Sequence, residues 1–196
     1  MLVAVFAAIA VSVQNGAAIP IENDIYGAIA AHISPPLTGI MIIVTNLGSV
    51  YAVVGVVLLL TLIPRLRAIF GLQPIATLTV SPVLNSLLKS AFARERPYSL
   101  MLIQEQGYAF PSGHAMNNAA LYAMITLVVF RHTKNAKART AAVVISLLMA
   151  FAISVSRLYL GVHCASDVAA GWALGVAVAL LFDTIWTRKD LINNIK

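Results

Sequence analysis

The residues of this chain that could do chemistry together are Lys89, Arg96, Ser112, Gly113, His114, Arg157, His163 and Asp167. They fall in three short stretches: Lys89 to Pro97, Pro111 to His114, and Ser156 to Asp167. Three cations, two imidazoles and one carboxylate suit gripping a phosphate and attacking it. Arginine reaches anionic oxygens with a bidentate fork, and lysine with a point charge. Lys89 and Arg96 stand two helical turns apart, so a helix continuing that far would carry both on one face, with Pro97 stopping or turning it. Ser112 could cap a helix opening at Pro111, and the N–H groups of Ser112 and Gly113 could hold an anion. Gly113 permits close approach, and His114 could donate a proton to a leaving oxygen. His163 and Asp167 are spaced i and i+4, so the carboxylate could fix the imidazole tautomer and leave the other nitrogen free to attack. Taken singly, the cations also read as interfacial anchors, Ser112 as a plain cap, and His163 with Asp167 as a capping pair. His114, His163 and Asp167 could in principle bind zinc. Lys89, Arg96 and Arg157 would repel it, so no metal and no cofactor is expected.

The elements that must position these residues are oily. The 196 residues are 60% hydrophobic and 10% charged, with mean hydropathy +0.90; a soluble domain has about 25% charged residues. That excludes an ordinary soluble domain and predicts an all-α, polytopic membrane bundle. Runs of about 20 apolar residues mark six spans, near 2–19, 38–63, 73–93, 112–130, 140–160 and 165–186. The first could also be read as a signal peptide, but it lacks a basic leader region. A short interfacial helix is expected around Asp24–Ile33. Cys164 is the only cysteine, so no internal disulfide can form.

The net charge is +6, yet nine of the 13 Lys/Arg follow long apolar runs, in the segments 65–67, 131–139 and 188–196. That is the positive-inside pattern rather than a nucleic-acid surface. With six spans, these basic segments and both termini share the cytoplasmic side. Segments 20–36, 94–111 and 157–164 share the outer side. All three chemical stretches then gather at the outer membrane–water interface, where a retained charge usually has a function. Met116, Asn117 and Asn118 read equally as pocket lining or as helix packing.

In order and spacing, Lys89-x6-Arg96-Pro97, Pro111-Ser112-Gly113-His114 and Ser156-Arg157-x5-His163-x3-Asp167 resemble the signature of the type 2 phosphatidic acid phosphatases. These are integral-membrane lipid phosphatases, related in their catalytic core to vanadium haloperoxidases and bacterial acid phosphatases. The resemblance implies that His163 is the nucleophile and forms a phosphohistidine, that Asp167 orients it, and that His114 protonates the leaving group. It implies that Lys89, Arg96, Arg157, Ser112 and the Gly113 N–H hold the phosphoryl oxygens, with no metal. Length and span count are similar to small bacterial members acting on phosphatidylglycerophosphate or undecaprenyl diphosphate. Some undecaprenyl diphosphate enzymes carry Asp before the first histidine. Gly113 there tilts the reading toward phosphatidylglycerophosphate. Cys164 replaces an aromatic residue common after the second histidine, which alters the pocket wall.

The expectation is one membrane-embedded domain over 1–196, with its catalytic core at about 73–186. It would hydrolyse a lipid phosphate monoester without metal at the outer face of the cytoplasmic membrane. Its partners would be a phospholipid or polyprenyl phosphate substrate and membrane lipids, with no nucleic acid and no obligatory protein partner. The rivals are undecaprenyl diphosphate hydrolysis, a lipid phosphotransferase sharing the phosphohistidine, and a small transporter. The transporter is disfavoured because the charges gather at one interface and no halves repeat.

Overall fold

The computed structural model describes residues 1–96 and 101–193; Pro97 and Lys196 lie outside the described residues. In chain order the elements are α1 (Leu2–Gln14), α2 (Ile19–Ala30), α3 (Pro35–Leu47), α4 (Val50–Leu62), α5 (Pro64–Phe70), α6 (Gln73–Phe92), α7 (Gly113–His132), α8 (Ala136–Tyr159) and α9 (Ala165–Asn193). Local signals set their ends. Prolines open α3 and α5, where the missing N–H costs nothing. Asn135 caps α8 by accepting from the Lys137 and Ala138 N–H groups.

Four helices, α6 to α9, are long and apolar enough to cross a membrane. The pair α3 and α4, bent by 42°, makes up to five spans. The first expected span, near 2–19, is only partly realised. Gln14, Asn15 and Gly16 interrupt its apolar run, Gly16 with φ +71°, and α1 stops at 13 residues. At 1.5 Å per residue that is about 20 Å, short of the roughly 30 Å hydrocarbon core. The expected interfacial helix exists, but it begins at Ile19 and ends at Ala30.

The bend between α3 and α4 has a packing cause. A Cβ on Gly48 would lie 2.4 Å from Ile153 Cγ2 of α8, so only glycine lets the chain come this close. Asn118 of α7 donates to the Gly48 carbonyl at 3.0 Å. Irregular backbone at membrane depth needs such partners.

Helix α7 sits at the centre, packed against α6, α8 and α9. Its contact with α9 is made by two glycines one turn apart. A Cβ on Gly175 would lie 2.2 Å from the Met116 carbonyl, and one on Gly171 2.8 Å from the Ser112 carbonyl. Small residues four apart let membrane helices approach backbone to backbone. The N-terminus of α7 is thereby fixed against the N-terminus of α9. Phe92 and Phe110, with ring centroids 5.0 Å apart, pin the end of α6 to the segment leading into α7. At the opposite end Arg131 of α7 donates to Gln73 of α6 and pairs with Asp183 of α9 at 3.3 Å.

Candidate active site

Helix α6 stops short of Arg96. Ala93 takes the left-handed conformation (φ +45°) as its C-cap, and residues 93–96 are non-helical. Lys89 and Arg96 are therefore not on one helix face, contrary to the spacing argument; a loop brings them together. Arg96 Nε donates to the Gly107 carbonyl at 2.9 Å and Nη2 to Gln106 at 3.1 Å. Its Nη1 donates to Val162 O at 2.7 Å. Lys89 Nζ donates to the carbonyls of Tyr108 and Ala109. One run of carbonyls, 106–109, thus frames both cations.

His163 lies in the turn between α8 and α9, 2% exposed. Its Nε2 is 3.3 Å from Arg96 Nη1 and its Nδ1 is 3.5 Å from Asp167 Oδ2. A guanidinium only donates, so Nε2 accepts, which assigns the imidazole proton to Nδ1 on the Asp167 side. Burial holds His163 down to about 4, against the pull of Asp167. At neutral pH the ring is uncharged with a lone pair on Nε2, the form a nucleophile needs. Nδ1 makes no hydrogen bond of good geometry, so Asp167 acts on it at ion-pair distance.

Asp167 is itself fully buried. Oδ2 accepts from the Cys164 N–H at 2.8 Å and Oδ1 from Arg94 at 2.6 Å. Its backbone carbonyl accepts from the Ser112 N–H at 3.0 Å. This corrects one expectation: the Ser112 amide is committed to α9 and is not available to an anion. Ser112 is buried and caps α7, its Oγ accepting from Ala115. Gly113 and His114 do reach the cavity. Gly113 is one of the first-turn residues whose amide has no intrahelical acceptor, and a Cβ there would lie 3.0 Å from Asn85 Oδ1.

Arg157 is 1% exposed. It donates to Thr45 Oγ1 at 3.0 Å and to Glu105. It meets the cavity through Glu105, whose other oxygen is 4.0 Å from Arg96. Burial alone would raise the Glu105 carboxyl, but the charge and hydrogen bond of Arg157 hold it below the usual range. Glu105 escaped sequence reasoning, although it is the one carboxylate between the first two motifs. Asn117 lines the cavity and accepts from Ser81 at 2.7 Å, whereas Met116 and Asn118 are buried between helices.

The cavity measures about 420 Å³. Lys89, Arg96, Glu105, Gly113, His114 and His163 line its polar end. Its other end runs along Val50, Val54 and Leu58 of α4 and Ile75 and Leu78 of α6. Val50, Val54, Leu58 and Ile75 are exposed on the outside of the bundle, so the cavity opens sideways between α4 and α6. A phosphate at the polar end would meet two cations, a helix N-terminus and two imidazoles, that of His163 in its neutral form. Among the described residues no cluster of three or more His, Cys, Asp or Glu has the arrangement of a metal site.

Residues 70–190 match the PAP2 superfamily. This is more than half of the chain, and the chain belongs to that family. It is 34% identical over 112 residues to phosphatidylglycerophosphatase B of Bacillus subtilis, covering 57% of this chain and 55% of the relative. It is 28% identical to an undecaprenyl-diphosphatase of Sulfolobus acidocaldarius, over 74% of this chain and 68% of the relative. The match therefore spans little more than half the length of the first relative. The fold resembles the crystal structure of a transmembrane PAP2-type phosphatidylglycerolphosphate phosphatase from Bacillus subtilis, with TM-score 0.86, 26% identity, and coverage of 95% of this chain and 94% of that one. It also resembles Aquifex aeolicus LpxE, with TM-score 0.63, 24% identity, and coverage of 81% and 92%; that likeness concerns the fold alone.

Proposed function

We propose that this PAP2-superfamily membrane protein hydrolyses a lipid phosphate monoester, phosphatidylglycerophosphate first among them, through a phosphohistidine and without metal. The observation that carries the reading is the cavity, cationic and histidine-lined at one end and open to lipid between α4 and α6 at the other. A phosphorylated headgroup fits the first part and an acyl chain the second.

In this reading Lys89, Arg96 and the Gly113 amide grip the phosphoryl oxygens, and Arg157 neutralises Glu105, which would otherwise repel the phosphate. His163 Nε2 attacks phosphorus while the bond to the leaving alkoxide breaks, and His114 gives that oxygen its proton. Water then attacks the phosphohistidine, surrendering a proton to His114, and inorganic phosphate leaves with His163 restored. Cations already aimed at the transferring group need no reorganisation in the transition state. The fully buried Ser112 acts by capping α7 rather than by touching substrate. The whole chain is read as one catalytic unit with its core at about 73–186. The basic segments read as cytoplasmic under the positive-inside rule, which puts the C-terminal segment inside and the cavity at the outer face of the cytoplasmic membrane; the N-terminus joins it inside only where α1 completes a sixth crossing beyond the five spans described.

Undecaprenyl diphosphate is the second substrate reading, favoured by the similarity to the Sulfolobus enzyme over 74% of this chain. The test is phosphate release by detergent-purified protein in EDTA, comparing phosphatidylglycerophosphate, undecaprenyl diphosphate and phosphatidic acid. Release that survives EDTA and disappears in His163→Ala is expected, fastest with phosphatidylglycerophosphate. Retained release in the folded mutant would remove His163 as nucleophile. No release from any of the three lipids would favour transfer of the phosphoryl group to a lipid acceptor.

A further inference from the structure

Arg94 is not one of the residues through which the chain resembles its family, yet it makes the most direct contact with the carboxylate behind His163. Its guanidinium forks between two acids from distant parts of the chain. Nη1 donates to Asp167 Oδ1 at 2.6 Å and to Ser166 Oγ at 2.8 Å. Nη2 donates to Glu22 Oε2 at 2.7 Å, and Ser166 Oγ donates to the other Glu22 oxygen. Glu22 is 5% exposed. One helical turn along α2, Tyr26 donates to the His163 carbonyl at 2.8 Å. One face of α2 thus grips both the backbone of the nucleophile and the arginine that grips its acid.

We propose that Arg94, clamped by Glu22, is a positioning residue that holds the Asp167 carboxylate where it can orient His163. The inference rests on the roles proposed above for His163 and Asp167. The physical need is rotational. The terminal torsion of an aspartate is broad and two-fold, and Oδ2 lies at 3.5 Å from Nδ1, so a modest swing would lose the contact. The Cys164 N–H holds Oδ2, and Arg94 holds Oδ1; together they fix the plane of the carboxylate. Arg94 also sets the charge. Burial works against its cation, but Asp167 and Glu22 outweigh burial and raise it above its ordinary value. The groups facing His163 are Asp167, Arg94, Glu22, Tyr26 and Cys164 on one side. On the cavity side they are Arg96, Arg157, Lys89, Glu105 and His114.

The test compares Arg94→Gln, Arg94→Lys and Glu22→Gln with the unmodified protein in the detergent assay, with the folded fraction taken from thermal unfolding. Arg94→Gln is expected to lower kcat about 10- to 100-fold, the range that loss of a partner behind a metal-bound histidine gives, with KM within about twofold. The acid limb of kcat/KM should move to higher pH, because removing a cation beside Asp167 makes protonation of His163 easier. Arg94→Lys should recover part of the rate. Glu22→Gln removes a negative charge, so its acid limb should move the opposite way, with a smaller loss of kcat. If Arg94→Gln does not fold, the other two variants decide the matter by the same readouts. An unchanged kcat per folded molecule, or a loss with the acid limb unmoved in every variant, would mean that Arg94 only tethers α2, and the proposal falls. His163→Ala separates the two levels. Silent Arg94 variants beside an inactive His163→Ala overturn only this inference; an active His163→Ala overturns the site assignment and this inference with it.

Discussion

Helices α6, α7 and α9 each carry charged or polar residues at both ends, and the two ends use them differently. At one end Arg131, Gln73 and Asp183 close on each other as a small set of partners. At the other, Lys89, Arg96, His114 and His163 surround a cavity of about 420 Å³, with Arg157 and Arg94 behind it. The far cluster roughly balances its charge. The near one gathers one more cation, among Lys89, Arg94, Arg96 and Arg157, than Glu22, Glu105 and Asp167 neutralise. Burying unbalanced charge is costly, so the near end is shaped for an anion that arrives from outside the chain, while the far end is built for stability.

The sharpest way to break that comparison is at Asp167. Asp167→Asn should keep the fold and lower kcat by about 10³- to 10⁴-fold, as tautomer loss does in a comparable triad; a rate within tenfold of the parent would reduce Asp167 to a helix cap. The next effect is in pH. With His163 at about 4, the free enzyme holds the attacking lone pair above that pH and loses it below. The His163 limb of kcat/KM should therefore stay level from neutrality to about pH 5, then fall toward tenfold per unit below pH 4. A limb centred near 6.5 would mean that the ring titrates as if in water. A smaller effect is expected from Gly175→Val, which pushes a side chain into the Met116 carbonyl and should lower the thermal midpoint in detergent by the equivalent of about 1–3 kcal/mol. Smallest in catalysis is Arg131→Gln. It should leave kcat unchanged while costing about 1–3 kcal/mol through the partners left unpaired, and a matching fall in kcat would dissolve the distinction between the two ends.

What could be read from the sequence follows the range of the interactions. The family signature and the apolar runs are local, and they gave the class of fold and the residues around the cavity. The ends of elements were less legible. Nothing local announces that α6 stops at Phe92; Ala93 takes a left-handed conformation, and the residues just beyond it, Arg94 and Arg96, are held by partners distant in sequence. The Ser112 amide looked free because its acceptor, the Asp167 carbonyl, is distant in sequence. Glu22 reaches Ser166 across 144 residues, and Glu105 reaches Arg157 across 52. Pairings of that span carry no spacing rule, and a lone acid in a loop reads as solvated. The bend at Gly48 was hidden for the same reason, its cause being Ile153 on another helix.

The contact of Gly171 and Gly175 with α7 has a consequence for mutational tolerance. Neither residue touches a reacting atom, yet neither leaves room for a single methyl group against the α7 backbone. A saturation screen scored by growth would register both as intolerant and could mistake them for catalytic residues. Scored by protein abundance and by activity per molecule, they would separate at once. Gly171 and Gly175 would fail on abundance, and His163 on activity alone.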